Sequence, residues 1–267
     1  MSTATLPSLP LPRVSLRPLA LPTEHGGWGF LFEPIVLGLA VAPSRGGLFV
    51  ALAFVLGFLT RQPLRLGLQD AMRGCTYPRT RWCWLFAVSY ATLALASLGA
   101  AVAMSGWVVI VPIGLVAPLG ITQILYDANN RGRALLPELG GAAAMASSAA
   151  AIAIASGMRI VPALALSGII VARAIPSIVY VRALLARSHG RSASSAPPLA
   201  LHAIAIVLVA LFVKPLAVVA MALLFARAAW QLARPVPPAK KIGWTEVVFG
   251  LMTVGLVVMS FNPPISR

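Results

Sequence analysis

The chain has 267 residues, of which 59% are hydrophobic and 10% are charged, and its mean hydropathy is +0.90. A soluble domain of this size needs far more polar surface than this composition offers, so an ordinary soluble globular protein is excluded. The formal net charge of +15 is divided among short loops, which argues against a nucleic-acid partner and favours attraction to anionic lipids. We therefore expect an integral membrane protein that has the lipid bilayer as a partner.

The N-terminal segment differs from the rest of the chain. Residues 1–22 contain five prolines, which interrupt any continuous apolar run and so argue against a cleaved signal peptide. We interpret residues 1–22 as a disordered cytoplasmic tail and residues 23–267 as a single transmembrane helical domain.

Apolar stretches recur along that domain, each close to the ~20 residues that a membrane-spanning helix requires. They lie at 27–43, 48–69, 83–104, 107–126, 138–157, 160–181, 199–213, 215–233 and 244–262. The tract at 199–226 is long for one span and short for two, but a turn at Lys214-Pro215 preserves the alternation of basic loops. The sequence thus predicts an all-α polytopic bundle of about nine transmembrane helices, with eight as the alternative.

Charge sets the expected orientation of this bundle. Every lysine and arginine except Arg45, Arg159, Lys214 and Arg267 falls on one side of the nine-span arrangement. All six acids map to the same half, namely Glu24, Glu33, Asp70, Asp127, Glu138 and Glu246. Because cytoplasmic loops are the basic ones, we expect a protein of the inner (plasma) membrane with a cytoplasmic N-terminus and an external C-terminus.

Several charged side chains lie inside the predicted spans or at their inner ends, where an unpaired charge is costly. Two interpretations stay open for them: internal ion pairs, or the lining of a cavity that binds an anionic ligand. The second predicts that Glu33, Asp70, Arg61 and Arg173 converge on one cavity open to the cytoplasm. His202 is interpreted as a core residue of an apolar helix. The charged candidates for ligand binding are Glu33, Arg61, Arg65, Asp70, Arg173 and Arg182.

Tyr126 and Asn130 belong to the most polar run of the chain, at residues 126–138. Asp127 and Arg131, at i and i+4, have the spacing that clamps a helix end. A metal ion needs converging carboxylates, and this run offers one carboxylate with amides, so no metal site is predicted here. Tyr126 and Asn130 are added to the candidate ligand-binding residues.

Four short motifs together resemble the YwiC-like family of bacterial membrane proteins. They occupy residues 24–28, 61–64, 131–141 and 173–182. The nine-helix layout is also similar, more remotely, to the UbiA prenyltransferase superfamily, with Tyr126, Asn130 and residues 137–140 resembling its junction between the fourth and fifth helices. The resemblance implies a UbiA-like fold with polar loops at the cytoplasmic face.

The same resemblance raises the question of a metal cofactor. The superfamily uses two Asp-rich motifs to hold Mg²⁺ and an isoprenyl diphosphate. Here residues 69–73 keep Asp70 but have Arg73 where a second acid is expected, and no acid occurs between Glu138 and Glu246. We therefore assign no cofactor; Mg²⁺ would bind only if the degenerate motif still functions.

Two functions remain open, and with them the question whether the protein is an enzyme. The first is a prenyltransferase-like protein that binds an anionic or prenylated lipid in a cytoplasm-facing cavity, with arginines replacing the metal. The second is a non-catalytic membrane protein: an assembly or lipid-binding factor, or a small transporter.

Overall fold

The structure, a computed structural model, describes residues 15–22, 25–211 and 214–261, without the side chain of His25. Residues 1–14 of the tail predicted to be disordered lie outside these ranges. The described part of that tail contains a short helix, α1 (Arg17–Ala20), whose Leu19 is buried. The C-terminal residues 262–267 also lie outside the described ranges.

The described residues form helices and no strands, so the prediction of an all-α polytopic bundle is confirmed. A 3₁₀ turn at Trp107–Ile110 leads into α5. After α1, the helices are α2 (His25–Val41), α3 (Arg45–Met72), α4 (Thr80–Ser105), α5 (Val111–Ala128), α6 (Leu135–Ala155), α7 (Ile160–Ser188), α8 (Ala196–Ala210), α9 (Pro215–Leu232) and α10 (Ala239–Phe261).

Helices α2 to α10 coincide with the nine predicted spans. Among the described residues, seven helices are long and apolar enough to cross a membrane, whereas α2 and α8 are apolar but shorter. The long tract at 199–226 is divided, because α8 ends at Ala210 and α9 begins at Pro215. Proline favours a helix start since it lacks the N–H that the first turn leaves unbonded.

Helix α6 lies at the centre of the bundle and packs against α2, α3, α5 and α7. Its buried face consists largely of alanine, with Ala146, Ala149 and Ala150 fully enclosed. Small residues let neighbouring helices come close in a membrane. Gly38 of α2 is so near α6 that a Cβ atom there would lie 2.9 Å from Cβ of Ile152.

The remaining helices complete the bundle on both sides of α6. Helix α4 packs along α3, whereas α8, α9 and α10 follow α7 in sequence and α10 returns to pack on α2. Consecutive helices therefore run antiparallel. We call the end that holds loops 73–79, 129–134, 189–195 and 233–238 the basic end. The opposite end holds residues 42–44, 106–110 and 156–159, together with Leu211 and Lys214.

Large apolar side chains cover much of the outside of the bundle. Leu95 of α4, Leu115 of α5 and Val207 of α8 are each more than 60% exposed. Soluble monomers rarely expose apolar surface on this scale. The exterior is that of a helical bundle surrounded by lipid.

Candidate functional site

The first polar cluster joins α3 to the end of α5, and we call it the α3–α5 clamp: Arg61, Gln69, Asp127 and Asn130. Arg61 donates from Nε and Nη2 to the two carboxylate oxygens of Asp127, at 2.6 and 3.1 Å. Gln69 Nε2 donates to the backbone oxygen of Asp127 and to Oδ1 of Asn130, both at 2.9 Å. The predicted clamp partner of Asp127, Arg131, is thus replaced by an arginine on another helix.

The backbone that follows α5 packs closely against the Asp127 carboxylate. Asn130 has a φ of 57°, a left-handed conformation that asparagine tolerates better than most residues. A Cβ atom at Gly132 would collide with Oδ1 of Asp127, so this position requires glycine. Tyr126 contributes its backbone oxygen, which accepts from Arg131 N at 2.8 Å.

Two further ion pairs lie near the same end. Asp70 is fully buried and accepts hydrogen bonds from Arg79, at 2.8 and 3.3 Å, and from Thr80 Oγ1 at 2.8 Å. The hydrogen bond to Asp70 raises the pKa of the Arg79 guanidinium, so Arg79 stays charged at any physiological pH. Arg182 donates to Oε2 of Glu138 at 2.7 Å and to the backbone oxygen of Arg133 at 2.9 Å, where both side chains are exposed.

Two buried arginines and two glutamates form a second cluster, the buried quartet of Glu33 (α2), Arg173 (α7), Arg227 (α9) and Glu246 (α10). Arg173 Nη2 lies 3.1 Å from Oε1 of Glu33 and donates to the backbone oxygen of Glu246 at 2.9 Å. Arg227 donates from Nη1 to Oε1 of Glu246. The arginine side chains are only 3% and 7% exposed.

Aromatic rings and a histidine adjoin the quartet. The Arg227 guanidinium lies 4.3 Å from the centre of the Tyr180 ring and 5.0 Å from that of Phe249. His202 of α8 meets Tyr180 edge to face, with the ring centres 6.3 Å apart. Its Nδ1 lies 2.7 Å from the Pro198 backbone oxygen, so that nitrogen carries the proton in the neutral ring.

Helix geometry places the quartet and Arg65 at different depths. At 1.5 Å per residue, Arg173, Arg227 and Glu246 lie about 20 Å from the opposite-end termini of their helices. Arg65, by contrast, lies about 30 Å along α3 from Arg45, which matches the thickness of the hydrocarbon core. The quartet is therefore inside the bilayer, and Arg65 is at its boundary.

A shallow cleft, which we call the arginine cleft, opens at that boundary. It is lined by Pro22, Arg61, Gln62 and Arg65. Gln62 donates to the backbone oxygen of Pro18 at 3.3 Å, which ties the cleft to α1. The space within it is far smaller than the ~300–1,000 Å³ that is usual for pockets enclosing a drug-sized ligand.

The structure divides the predicted site residues instead of bringing them to one cavity. Glu33 and Arg173 meet in the quartet, but Arg61 pairs with Asp127 and Asp70 pairs with Arg79. Each of these acids pairs with an arginine of the segment that packs against it. Which arginine this is depends on how the helices are rotated about their axes and not on how deep the residues lie in the membrane. Whether any of these residues binds a ligand stays a prediction.

Sequence reasoning missed Glu246 as a partner of Arg173 and Arg227 as a partner of Glu246. Arg227 was assigned to a basic loop and its adjoining helix end, and Glu246 was noted only as one of the acids of the inner half. A signal was present, because Arg227 precedes the end of the apolar stretch by more than one turn. The interpretation of His202 as a core residue agrees with its burial, although its surroundings are polar.

The residues present do not fit a diphosphate-bound magnesium pair. Both Asp70 and Asp127 use their carboxylate oxygens on arginines. In the part of the chain that the structure describes, no three His, Cys, Asp or Glu side chains are grouped closely enough to hold a metal ion.

The fold and its apolar exterior define the class: this is an integral, multi-pass helical membrane protein. Residues 21–153, about half of the chain, match the family model of the YwiC-like proteins. The chain belongs to the YwiC-like family. The match contains the α3–α5 clamp and Glu33 but ends before Arg173, Arg227 and Glu246. No curated protein and no solved structure matches, so the remoter similarity to the UbiA superfamily stays an expectation.

Proposed function

We propose that this YwiC-like protein binds the phosphate group of an anionic or prenylated lipid in the arginine cleft. The observation that supports this most is the position of the cleft, where two arginines line an opening at the membrane boundary. Lipid phosphates lie at this depth. Guanidinium groups match phosphate oxygens through N–H donors and need no metal ion to do so. Because Arg61 uses its Nε and Nη2 on Asp127, Arg65 is the residue that we expect to contact the phosphate directly.

The surroundings of the cleft favour a lipid over a soluble phosphate compound. Leu16 and Leu21, which flank α1, are 38% and 40% exposed, and Trp84 of α4 is 37% exposed beside Gly67 of α3. These apolar groups offer contact to acyl or prenyl chains. Because the cleft is too small to enclose a ligand, only the phosphate headgroup would lie against it, and the chains would remain in the bilayer.

Binding is tested with the full chain in lipid nanodiscs. Phosphatidylglycerol and farnesyl diphosphate are titrated separately, with EDTA and with Mg²⁺, and affinity is measured by native mass spectrometry. We expect binding of at least one probe in EDTA and a loss of about tenfold for Arg65→Gln, since one charge-assisted contact is worth about 1.5–3 kcal/mol. Arg45→Gln, at the opposite end, is the matched control.

Other results decide against this proposal. Strict dependence on Mg²⁺ means that the degenerate motif around Asp70 still holds metal. No binding of either probe favours a non-catalytic assembly factor. Equal loss for Arg65→Gln and Arg45→Gln indicates attraction to positive charge in general rather than a site.

The proposal includes the orientation in the inner membrane. We place the basic end in the cytoplasm because basic loops stay on that side during insertion. Reporter fusions near residues 75, 132, 190 and 238 then report a cytoplasmic location, and fusions at the C-terminus an external one. An external signal near residue 238 contradicts the nine-span orientation.

A small transporter is the second candidate, and the buried quartet favours it. Transporters place their binding sites deep in the bilayer, often with charged residues on several helices. The four quartet residues come from four different helices. Counterflow of a labelled substrate into proteoliposomes is the decisive assay, since a lipid-binding factor shows none.

A further inference from the structure

One edge of the Arg227 guanidinium makes no hydrogen bond to the described residues around it. Its Nη1 bonds to Glu246, but Nε and Nη2 are buried and have no hydrogen-bond partner among the described residues. Nε–H and Nη2–H point the same way and form the fork that grips both oxygens of a carboxylate. Leaving such donors buried and unbonded is costly, and structures rarely do so without a reason.

Two other arginines of this chain show what the same fork holds. Arg61 uses Nε and Nη2 to bind both oxygens of Asp127, and Arg79 uses the same two nitrogens on Asp70. Arg227 is more buried than either of them. The deepest of the three forks is thus the one without a carboxylate from the described part of the chain.

Other unpartnered polar atoms lie on the helices that pack against α9. Within the described residues, Ser177 Oγ, His202 Nε2 and Arg173 Nε are also buried without hydrogen bonds. Ser177 lies one turn from Arg173 on α7, and Tyr180 links His202 to Arg227 through its ring. Hydrogen-bonding capacity therefore remains on α7, α8 and α9 together, which is more than a single ill-fitting side chain explains.

The guanidinium is also held in place. Tyr180 and Phe249 both lie within 5.0 Å of it, and Nη1 is fixed by Glu246. Since these contacts limit rotation of the guanidinium, the fork has a set direction. Pre-oriented donors bind an anion more strongly than mobile ones, because less side-chain freedom is lost on binding.

We propose that the Arg227 fork binds the carboxylate of a small organic acid or a fatty acid between α7, α8 and α9. Ser177 and Arg173 Nε supply additional donors. This site is separate from the arginine cleft and does not depend on the function proposed there. Because Glu33 and Glu246 already balance the two arginines, we expect a modest affinity, about millimolar for a short acid.

The experiment uses the full chain in nanodiscs with carboxyl-¹³C propionate and carboxyl-¹³C decanoate as separate probes. Chemical-shift titration gives the affinity of each, and decanol and sodium chloride at equal concentration control for the alkyl chain and for salt. Binding of propionate identifies a water-soluble acid as the ligand class, whereas binding of decanoate alone identifies a membrane-borne acid. Either result supports the site only if it depends on Arg227.

Arg227→Lys keeps the charge beside Glu246 but removes the fork, and we expect it to weaken binding about tenfold or more. Arg234→Lys, on an exposed arginine past the end of α9, is the matched control and leaves the affinity unchanged. Ser177→Ala removes one donor and weakens binding about threefold to tenfold. Arg65→Gln leaves carboxylate binding intact, which separates this site from the arginine cleft.

The proposal is overturned if neither acid binds, or if Arg227→Lys binds as tightly as the unmodified protein. It is also overturned if excess decanol displaces the labelled decanoate, because the alkyl chain and not the carboxylate would then be what binds. Should Arg227→Lys not fold, the double variant Arg227→Gln/Glu246→Gln replaces it, because it removes the pair without leaving a lone buried charge. Unchanged carboxylate affinity in that variant equally contradicts the proposal.

Discussion

The α3–α5 clamp and the buried quartet both consist of ion pairs between arginines and carboxylates. They differ in how many of their polar atoms are hydrogen-bonded. In the clamp, one arginine faces one carboxylate, and Gln69 and Asn130 satisfy the groups around them. In the quartet, two arginines share two glutamates, and donors of both arginines stay unbonded among the described residues. The clamp is complete without a ligand, whereas the quartet is not.

The burial of the arginines makes this difference informative, because Arg61 is 22% exposed whereas Arg173 and Arg227 are 3% and 7% exposed. Unbonded donors near the basic end could reach water, but those of the quartet are enclosed where water is scarce. An ion pair with a purely structural role is most stable when its donors and acceptors are hydrogen-bonded, as they are in the clamp. The quartet therefore has the features of a functional site, and the clamp those of a structural joint.

The largest effect is expected from breaking the clamp. Asp127→Ala leaves Arg61 with a side chain that is only 22% exposed and without its carboxylate, so unfolding free energy falls by about 3 kcal/mol. Thermal unfolding in detergent measures the change. The double variant Arg61→Ala/Asp127→Ala should lose less than Asp127→Ala alone. A single variant as stable as the parent shows that the clamp is not a structural joint.

A smaller loss is expected when the quartet is crowded without removing a charge. A Cβ atom at Gly250 would collide with Oε1 of Glu33 and lie 3.0 Å from Nη2 of Arg173. Gly250→Ala therefore separates that pair and destabilises the protein by about 1–3 kcal/mol. Gly255→Ala on the same helix meets nothing within 4 Å and serves as the control in the same unfolding assay. Equal stability of the two variants contradicts the close packing of Gly250 on the pair.

Asp70→Asn tests an ion pair that is half open to solvent. Asp70 is buried but Arg79 is 37% exposed, so the released guanidinium gains water. We expect a loss of about 1 kcal/mol, between the values of buried and surface pairs. Farnesyl diphosphate binding should not change. A strong loss of binding in Mg²⁺ would instead assign Asp70 to a metal site.

The smallest effect is expected at Glu138 and Arg182, whose side chains are 37% and 41% exposed. Exposed pairs contribute about 0–1 kcal/mol, so Glu138→Gln should change stability by about 0.5 kcal/mol or less. Unfolding is measured at low and at high salt. Because water and salt screen this exposed pair, the effect of Glu138→Gln should be the smallest of the four variants under both conditions. A loss as large as that of Asp127→Ala would mean that Arg182 holds the loop at 129–134 in place.

The sequence predicts the helices of this protein well, because a bilayer fixes both their length and their apolar character. The break before Pro215 followed from charge alternation and the chemistry of proline. Rotation of the helices about their axes could not be obtained in this way. Asp127 was expected to bond Arg131 one turn away, but α3 presents Arg61 to it.

The ion-pair partners within the quartet could not be predicted from the sequence for a related reason. Glu33 and Arg173 were recognised as costly charges, and their pairing was one of two open interpretations. Arg227 and Glu246 lie far apart from both in sequence and become neighbours only when α9 and α10 fold back against α2 and α7. No local spacing encodes such a contact.

Helix α6 has a consequence for how the chain assembles. It is the least apolar of the seven long helices, yet it is the most enclosed by protein. Alanine, glycine and serine gain little from lipid, so α6 is held by its neighbours more than by the bilayer. Three of these neighbours, α2, α3 and α5, are synthesised before it and only α7 follows. A growing chain can thus offer α6 a protein surface as soon as it leaves the ribosome, and it need not rest alone in the membrane.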